Sequence, residues 1–160
     1  MESSAAVIEA LERAPAIVVP LVREVPPALR KRRPASGRWS AHEHACHLAA
    51  VHPLFVDRLA YMLEDPAPVI RPYDPGRDDA PDRLLRMDLD AALAQYASDR
   101  ARLVARLREL TPAEWAKRAE HGEYSHYSVF IMFRHLALHD FFHAYRIEEL
   151  LLERGATSDA

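Results

Sequence analysis

The sequence contains one cysteine, four glycines and no long apolar run, and each scarcity excludes a class of protein. The single cysteine, Cys46, excludes a disulfide framework within the chain, so we expect a reducing, cytoplasmic environment. Four glycines leave little room for a glycine-rich loop that binds phosphate. No apolar stretch reaches the roughly 18 residues of a membrane span, and the N-terminal segment lacks the features of a signal peptide. We therefore expect no association with a membrane.

The charges of the sequence are balanced. The formal net charge is −3, and acidic and basic residues are mixed along most of the chain, which gives no reason to expect a nucleic acid as partner. We interpret the one basic cluster, residues 30–33, as the C-terminal end of a helix, where cations interact favourably with the helix dipole. With 160 residues, 49% of them hydrophobic, the chain is predicted to form a single domain over residues 1–160.

The first half of the chain has the apolar spacing of two core-facing helices. The first helix is predicted over residues 4–32, and its prolines should bend it or divide it into two pieces. The second is predicted over residues 41–64. Ser40 and Glu43 form a capping box at its start, and Pro53 should bend it.

A proline-rich connection, residues 65–82, follows the second helix. A connection of this length can carry the chain from one end of a helical bundle to the other, and so join parallel neighbours. The third helix is predicted over residues 84–110, with Arg100 on its solvated side. A capping box at Thr111 begins a short helix that ends near residue 119.

Residues 121–126 are predicted to form a loop before the last helix, which is predicted over residues 125–153 with Gly155 following it. No segment alternates clearly between apolar and polar residues as a strand does. The sequence therefore predicts an all-α fold, a four-helix bundle.

The fourth helix carries His135, His139 and His143 at intervals of four residues. Residues four apart share one face of a helix, and the last two histidines occupy positions on the apolar stripe where leucine is usual. Two imidazoles on adjacent turns can bind one divalent cation, and zinc enzymes use this spacing. They can equally be core histidines with polar neighbours, and this segment alone does not decide between the two interpretations.

The second helix supplies further histidines. His44 lies on its inner stripe and His47 lies beside that stripe, so periodicity does not choose between them as an inward-facing ligand. A tetrahedral catalytic metal site has three protein ligands and one open position, and two histidines from the fourth helix plus one from the second would complete such a set. Imidazole suits zinc, nickel, iron or copper, and we expect Zn²⁺ or Ni²⁺.

Two motifs, in matching order along the chain, resemble those of the DinB-like (YfiT-like) family of metal-dependent proteins. The motifs consist of Trp39-Ser40, Glu43 and His47-Leu48 on the second helix, and His139-x-x-x-His143 with Ile147 on the fourth. The resemblance implies a bundle with an up-down-down-up course, in agreement with the long second connection. It also implies a metal site formed by His47, His139 and His143, which selects His47 over His44 and leaves His135 outside the site.

The sequence departs from the family pattern directly after the last histidine motif. Many members carry Gly-Gln-Ile there, whereas this chain has Tyr145-Arg146-Ile147. An arginine near a dication is unfavourable unless it points away or binds an anionic substrate. The departure weakens any inference of a specific substrate from the family more than it weakens the assignment of the metal ligands.

The resemblance also implies a metal enzyme that activates a thiol or water against a small-molecule substrate. Relatives in the superfamily include transferases and isomerases that use a low-molecular-weight thiol such as mycothiol or bacillithiol. Arg58 or Arg146 could meet a substrate carboxylate, and Glu43 and Tyr145 are candidate proton carriers. Arg58 and Arg146 can instead be partners in surface ion pairs, and Glu43 can be the helix cap. Asp140 is a third candidate proton carrier, but it directly follows His139 and so points off the apolar stripe, and we expect it to have a surface or supporting role.

The alternative to an enzyme is a non-catalytic bundle that binds a metal or ligand, or whose histidines are core residues. A homodimer is also predicted, because family members often pair through bundle faces and the fourth helix is apolar on nearly every side. A helix of that kind needs cover on every side, either from a second copy or from the proline-rich connection.

Overall fold

The computed structural model describes residues 4–153, and helices account for most of them. In chain order the helices are α1 (Ser4–Glu24), α2 (Ala41–Ala50), α3 (His52–Glu64), α4 (Pro75–Asp78), α5 (Arg83–Arg86), α6 (Leu89–Arg108), α7 (Pro112–Trp115) and α8 (Val129–Leu152). Two short strands, β1 (Val69–Ile70) and β2 (Glu120–His121), pair in parallel. Apart from this pair the fold is all-α, as predicted. Within the described residues, no helix is both long and apolar enough to span a membrane.

Two apolar clusters fill the two ends of the bundle and show the direction of each long helix. One cluster joins the start of α1 to the ends of α3 and α6 and to the start of α8. The other joins the end of α1 to the starts of α2 and α6 and to the end of α8. The first and last helices of the bundle therefore run in one direction and the two middle ones in the other. This is the predicted up-down-down-up course.

The first helix differs from the prediction at its prolines. α1 continues through Pro15 and Pro20 and ends at Glu24, well before residue 32. Each proline removes one backbone hydrogen bond, but the apolar face of α1 packs against both α6 and α8, and this packing holds the helix together. The helix ends just before the two consecutive prolines at residues 26–27.

The basic cluster, residues 30–33, consequently lies beyond α1 and not at its last turn. One residue of the cluster, Arg30, still binds to the end of that helix. Arg30 donates hydrogen bonds to the carbonyl oxygens of Arg23, at 3.1 Å, and Val25, at 2.9 Å. The cluster is therefore part of the turn between α1 and α2.

The second predicted helix is divided at Val51 into α2 and α3. Pro53 explains the division, because it lacks a backbone N–H and its ring clashes with the carbonyl group of Ala49. The start of α2 is capped as predicted. Ser40 Oγ accepts a hydrogen bond from the Glu43 backbone N–H, and the Glu43 carboxylate accepts one from the Ser40 backbone N–H.

The connection between α3 and α6 runs from one end of the bundle to the other, as the parallel course of its middle helices requires. It contains β1, α4 and α5, so the third long helix begins at Leu89 and not at residue 84. Val69 of β1 lies opposite Glu120 of β2, and Ile70 lies opposite His121. This pairing attaches the connection to the segment that precedes α8.

The last part of the chain follows the prediction with shifted boundaries. The short helix α7 ends at Trp115, earlier than predicted, and α8 begins at Val129, later than predicted. Ser128 is the N-cap of α8, since its Oγ accepts a hydrogen bond from the Ile131 backbone N–H at 3.2 Å. Gly155, predicted to follow this helix, lies outside the described residues.

The prediction that Arg100 lies on the solvated side of α6 is wrong, because its side chain has no exposed surface. Its Nε and Nη2 donate hydrogen bonds to the carboxylate of Asp140, both at 2.7 Å. Tyr96 Oη donates to the same carboxylate at 3.0 Å, and Arg100 Nη1 lies 3.1 Å from His52 Nδ1. Asp140 is thus fully buried, and the ion pair joins α6 to α8.

Candidate metal centre

The bundle brings together the three histidines that the family resemblance implies. His47 lies on the last turns of α2, and His139 and His143 lie one turn apart on α8. His139 Nε2 is 3.1 Å from His47 Nε2 and 3.0 Å from His143 Nε2. Among the described residues, these three form the group of potential ligands whose donor atoms all lie within 4.8 Å of one another.

Burial keeps the three imidazoles neutral near pH 7. His47 and His143 are buried, and His139 is half-buried. Burial lowers the pKa of His47 to about 3 and that of His139 to about 4. It lowers the pKa of His143 further, with the neighbouring imidazoles adding to the effect. A neutral imidazole has a free lone pair on one ring nitrogen, which is the form that binds a metal ion.

The three Nε2 atoms cannot satisfy one another by hydrogen bonds alone. His139 Nε2 carries either one hydrogen or one lone pair, yet it contacts both His47 Nε2 and His143 Nε2. A cation shared by three unprotonated Nε2 atoms resolves this conflict. Tetrahedral ligands at a Zn–N distance of about 2.0–2.1 Å lie roughly 3.3 Å apart, close to the spacing seen here. The residues present therefore fit a divalent ion.

The outer nitrogens of the three imidazoles differ in their surroundings. The Nδ1 atoms of His47 and His139 are buried and have no hydrogen-bond partner among the described residues. His143 Nδ1 lies 2.7 Å from His44 Nδ1. The indole of Trp39 covers this side of the cluster, with its ring 4.9 Å from that of His47 and stacked 5.9 Å from that of His143. His44 thus contacts the outer side of His143 and lies outside the group of three.

Comparisons with known proteins identify the family and the fold of the chain. The model of the DinB superfamily matches residues 10–147. The chain belongs to the DinB superfamily. Its fold is similar to that of YfiT from Bacillus subtilis, described as a probable metal-dependent hydrolase with an unusual four-helix bundle topology. The two chains superpose with a TM-score of 0.82 at 24% sequence identity, over 94% of this chain and 90% of YfiT. A comparison with curated proteins finds no matching sequence.

A cavity of about 150 Å³, which we call the histidine cavity, lies against two of the three clustered histidines. His47 and His139 form part of its wall, together with Arg58 and His135. The proline-rich connection and the segment before α8 supply other walls, including Tyr73, His121, Glu123 and Tyr124. A molecule in this cavity would therefore contact the histidine cluster directly.

A second cavity, of about 240 Å³, lies on the other side of the cluster. His44, Trp39, Phe142 and Arg146 are among its lining residues. Arg146 forms an ion pair with Glu149 at 2.7 Å, so its charge is already partnered. The two candidate arginines therefore line different cavities, Arg58 the histidine cavity and Arg146 the second one.

The remaining candidates lie apart from the histidine cavity. Tyr145 is 62% exposed and lines neither of the two cavities. The Glu43 carboxylate accepts hydrogen bonds from Arg33 and from Ser40, the latter through both its backbone N–H and its hydroxyl. The two bonds from Ser40 support the capping interpretation of Glu43, and Arg33, in the turn before α2, adds an ion pair to the same carboxylate. Its use as a proton carrier stays a prediction, as does that of Tyr145.

Several residues around the histidine cavity were not identified from sequence. His121 and Tyr124 come from a segment without helical or strand periodicity, in which nothing indicates the direction of a side chain. His135, which was named from sequence but which the resemblance leaves outside the metal site, is exposed and lines the cavity one turn before His139. The only signal for it was the regular spacing of the three histidines on α8.

Proposed function

We propose that this protein binds one divalent metal ion, with Zn²⁺ or Ni²⁺ the expected ions, through His47, His139 and His143 and uses it in a reaction on a small molecule. The observation that carries the proposal is the meeting of three imidazole Nε2 atoms, 3.0–3.1 Å apart along the cluster, at the wall of a cavity. Unpaired polar nitrogens inside a protein are costly unless they find a partner. An ion provides that partner, and the cavity provides room for a substrate beside it.

A bound divalent ion held by neutral ligands would lower the pKa of a water or thiol that coordinates it. Cys46 cannot supply the thiol. It is fully buried within an apolar cluster, and burial raises its pKa to about 12. Transfer of a thiol would therefore require a low-molecular-weight thiol from solution, such as mycothiol or bacillithiol, whereas hydrolysis would require only water.

Arg58 is proposed to bind an anionic group of the substrate. Arg58 lines the histidine cavity, and its guanidinium donates a hydrogen bond to the Arg71 carbonyl oxygen at 2.5 Å. Within residues 4–153 it forms no ion pair with a carboxylate. An arginine with free donors beside a metal-binding cluster can hold a carboxylate by two parallel hydrogen bonds. Glu123 also lines this cavity, so the substrate would carry its negative charge near Arg58 and away from Glu123.

Hydrolysis has one further support. YfiT shares the fold of this chain and is described as a probable metal-dependent hydrolase. Hydrolysis and thiol transfer both begin with removal of a proton from an O–H or S–H group, and the same three histidines would serve either reaction. The choice between them depends on the nucleophile that enters the histidine cavity.

Elemental analysis of untagged protein tests the metal site directly, because a purification tag would itself bind metal. After incubation with Zn²⁺ and with Ni²⁺ and removal of the excess, we expect one ion per wild-type chain and little in the His139→Ala variant. His126→Ala is the matched control. His126 is an exposed histidine in the loop before α8, and within residues 4–153 the hydrogen-bond partner of its ring is the Ser125 carbonyl oxygen.

Retention of metal by the His139→Ala variant would contradict the proposal by showing that the metal binds without His139. No metal in the wild type would also contradict it and would favour a non-catalytic bundle with core histidines. With the metal-loaded protein, carboxylate-bearing esters and amides test hydrolysis. The same compounds offered as electrophiles, each with and without a low-molecular-weight thiol, test transfer. Turnover that requires the thiol would assign the protein to thiol transfer, and turnover in water alone would assign it to hydrolysis.

A further inference from the structure

We infer that His44 is a positioning residue that holds His143 in the form able to bind the metal. The inference rests on the proposed function. The two imidazoles meet through their Nδ1 atoms at 2.7 Å, which is the short end of the range for a hydrogen bond. His44 comes from α2, three residues before His47, whereas His143 comes from α8. The contact therefore connects the two helices that supply the proposed ligands.

The atoms in contact determine which nitrogen of each ring carries a hydrogen. A neutral imidazole has one N–H and one bare nitrogen. His143 can direct a bare Nε2 toward His139 and the ion only if its hydrogen is on Nδ1. That N–H then donates to His44 Nδ1, which must be bare, so His44 carries its own hydrogen on Nε2. A single hydrogen bond thus selects one tautomer for each of the two residues.

His143 is the proposed ligand that has such a partner on its outer nitrogen. His47 Nδ1 and His139 Nδ1 are buried and have none among the described residues. Ligating histidines usually donate their second N–H to a neighbouring acceptor, and this bond orients the ring and raises its basicity. Here the acceptor is a second imidazole. The arrangement makes His143 the ligand whose orientation depends most directly on another side chain.

The position of His44 argues against a role as a fourth ligand. Its Nδ1 faces the side of the His143 ring that points away from the cluster, so the ring of His143 separates it from the Nε2 atoms. The ring of Trp39 packs edge-on against His44, with the centroids 5.5 Å apart, and stacks on His143. Phe142 contacts His143 edge-on, with the ring centroids 5.2 Å apart. The two imidazoles are thereby held against one another, and movement of His44 toward the ion would require the cluster to open.

The tautomers can be read in the wild-type protein by nitrogen NMR of the imidazoles in the zinc-loaded form. We expect a hydrogen on His143 Nδ1, a bare His44 Nδ1 and a hydrogen on His44 Nε2. A hydrogen on His44 Nδ1 would overturn the inference, because His44 could not then accept a bond from His143. This measurement does not depend on the folding of any variant.

Substitution tests the energetic consequence. Replacing His44 with phenylalanine keeps a ring but removes the acceptor, and loss of such an outer partner typically weakens metal binding by about 10–100-fold. The asparagine Oδ1 occupies nearly the position of the histidine Nδ1, so we expect His44→Asn to restore most of that affinity. The Kd for Zn²⁺ is measured by competition with a chelator of known affinity.

His42→Phe is the matched control, since His42 is also buried on α2 and its Nε2 contacts the Leu84 carbonyl oxygen at 3.0 Å, away from the cluster. We expect it to lower stability without changing the Kd for Zn²⁺. Equal affinity in wild type and His44→Phe, or equal losses in His44→Phe, His44→Asn and His42→Phe, would overturn the positioning role. Absence of zinc from the wild type would instead refute the proposed function, so the two failures are distinguishable.

Discussion

Arg100 and Asp140 form a bidentate ion pair that has no exposed surface, and Asp140 directly follows His139 in the chain. The pair joins α6 to α8 inside the bundle. Both oxygens of Asp140 accept from the guanidinium, and Tyr96 donates a further hydrogen bond to one of them. Because the carboxylate accepts hydrogen bonds from both Arg100 and Tyr96, we expect it to restrict the rotation of α8 about its axis and hence the direction of the neighbouring His139 ring.

Removal of one member of this pair should destabilise the protein severely. We expect Asp140→Asn to lower the free energy of unfolding by about 3–5 kcal/mol, because the arginine remains buried without its counter-charge. Urea denaturation measures the loss. Arg108→Gln is the matched control, on the helix that carries Arg100: Arg108 pairs with Glu12 of α1, but both side chains are exposed, and we expect a loss below about 1 kcal/mol.

The double variant Arg100→Met with Asp140→Leu distinguishes the effect of an unpaired buried charge on stability from the effect of altered packing. Replacing both charges by apolar groups of similar volume leaves no unpaired ion, so the double variant should be more stable than Asp140→Asn alone. If Asp140→Asn were as mild as Arg108→Gln, the ion pair would not hold α6 to α8 in the way described.

The features that could be predicted from sequence are those that depend on near neighbours. The capping box of Ser40 and Glu43 spans three residues, and its two reciprocal bonds follow from residue types alone. The same holds for the spacing of His139 and His143, which one turn of helix places on one face. The up-down-down-up course followed from the resemblance, and the length of the proline-rich connection agreed with it.

The features that could not be predicted depend on partners distant in the chain. Arg100 was assigned to the solvated side of α6 because an arginine is normally exposed, and nothing near it in sequence indicated Asp140, its partner 40 residues away. The choice between His44 and His47 likewise could not be made from periodicity. It depends on the rotation of α2 against α8, which only the packed bundle determines.

The buried histidines should make the metal-free protein sensitive to mild acid. Burial lowers the pKa of His44 and His139 to about 4 and that of His47 to about 3, below the value near 6.5 of the unfolded chain. The unfolded chain therefore binds protons that the folded one does not. Stability is complete above about pH 6.5 and decreases as the pH falls toward 4, by about 1.4 kcal/mol per pH unit for each such histidine.

Urea denaturation of metal-free protein at several pH values between 8 and 4 checks this dependence. His47→Leu should show a shallower decrease than the wild type, because one proton fewer is taken up on unfolding. His126→Leu, which changes an exposed histidine, should leave the slope as it is. An equal slope in all three proteins would show that the buried cluster does not control the response to acid.

The predicted homodimer can be tested at one specific surface, an exposed apolar face of α8. Leu138, Phe142 and Tyr145 are spaced along one face of α8, and their exposed fractions are 65%, 49% and 62%. Contiguous apolar surface of this kind is typical of contacts between proteins. If this face forms the dimer, light scattering should find a dimer in the wild type and a monomer in the double variant Leu138→Glu, Tyr145→Glu.

Ile17→Glu is the control for the dimer experiment, since Ile17 is an apolar residue of α1 with 50% of its surface exposed. It adds one negative charge, against two in the double variant, on another helix and should leave the dimer intact. A wild type that is monomeric at micromolar concentration, or a dimer that persists in the double variant, would contradict a contact through this face of α8.

The histidine cavity leads to a prediction about substrate charge. Arg58→Gln should raise KM for an anionic substrate by 10-fold or more, because a lost charge-assisted hydrogen bond is worth about 1.5–3 kcal/mol. Metal content should not change, since Arg58 is not one of the proposed metal ligands, which are the three clustered histidines. The KM for a neutral analogue of the same substrate should stay close to the wild-type value, and steady-state kinetics with the two substrates measures the difference.

Arg71→Gln distinguishes direct contact from a general loss of positive charge. Arg71 is exposed, and its carbonyl oxygen, not its side chain, accepts the hydrogen bond from Arg58. The two variants change the formal charge equally, but only Arg58 lines the cavity. If both raised KM by the same factor, the arginines would act through long-range attraction of the substrate. A rise confined to Arg58→Gln and to the anionic substrate is the outcome that contact between the guanidinium and the substrate requires.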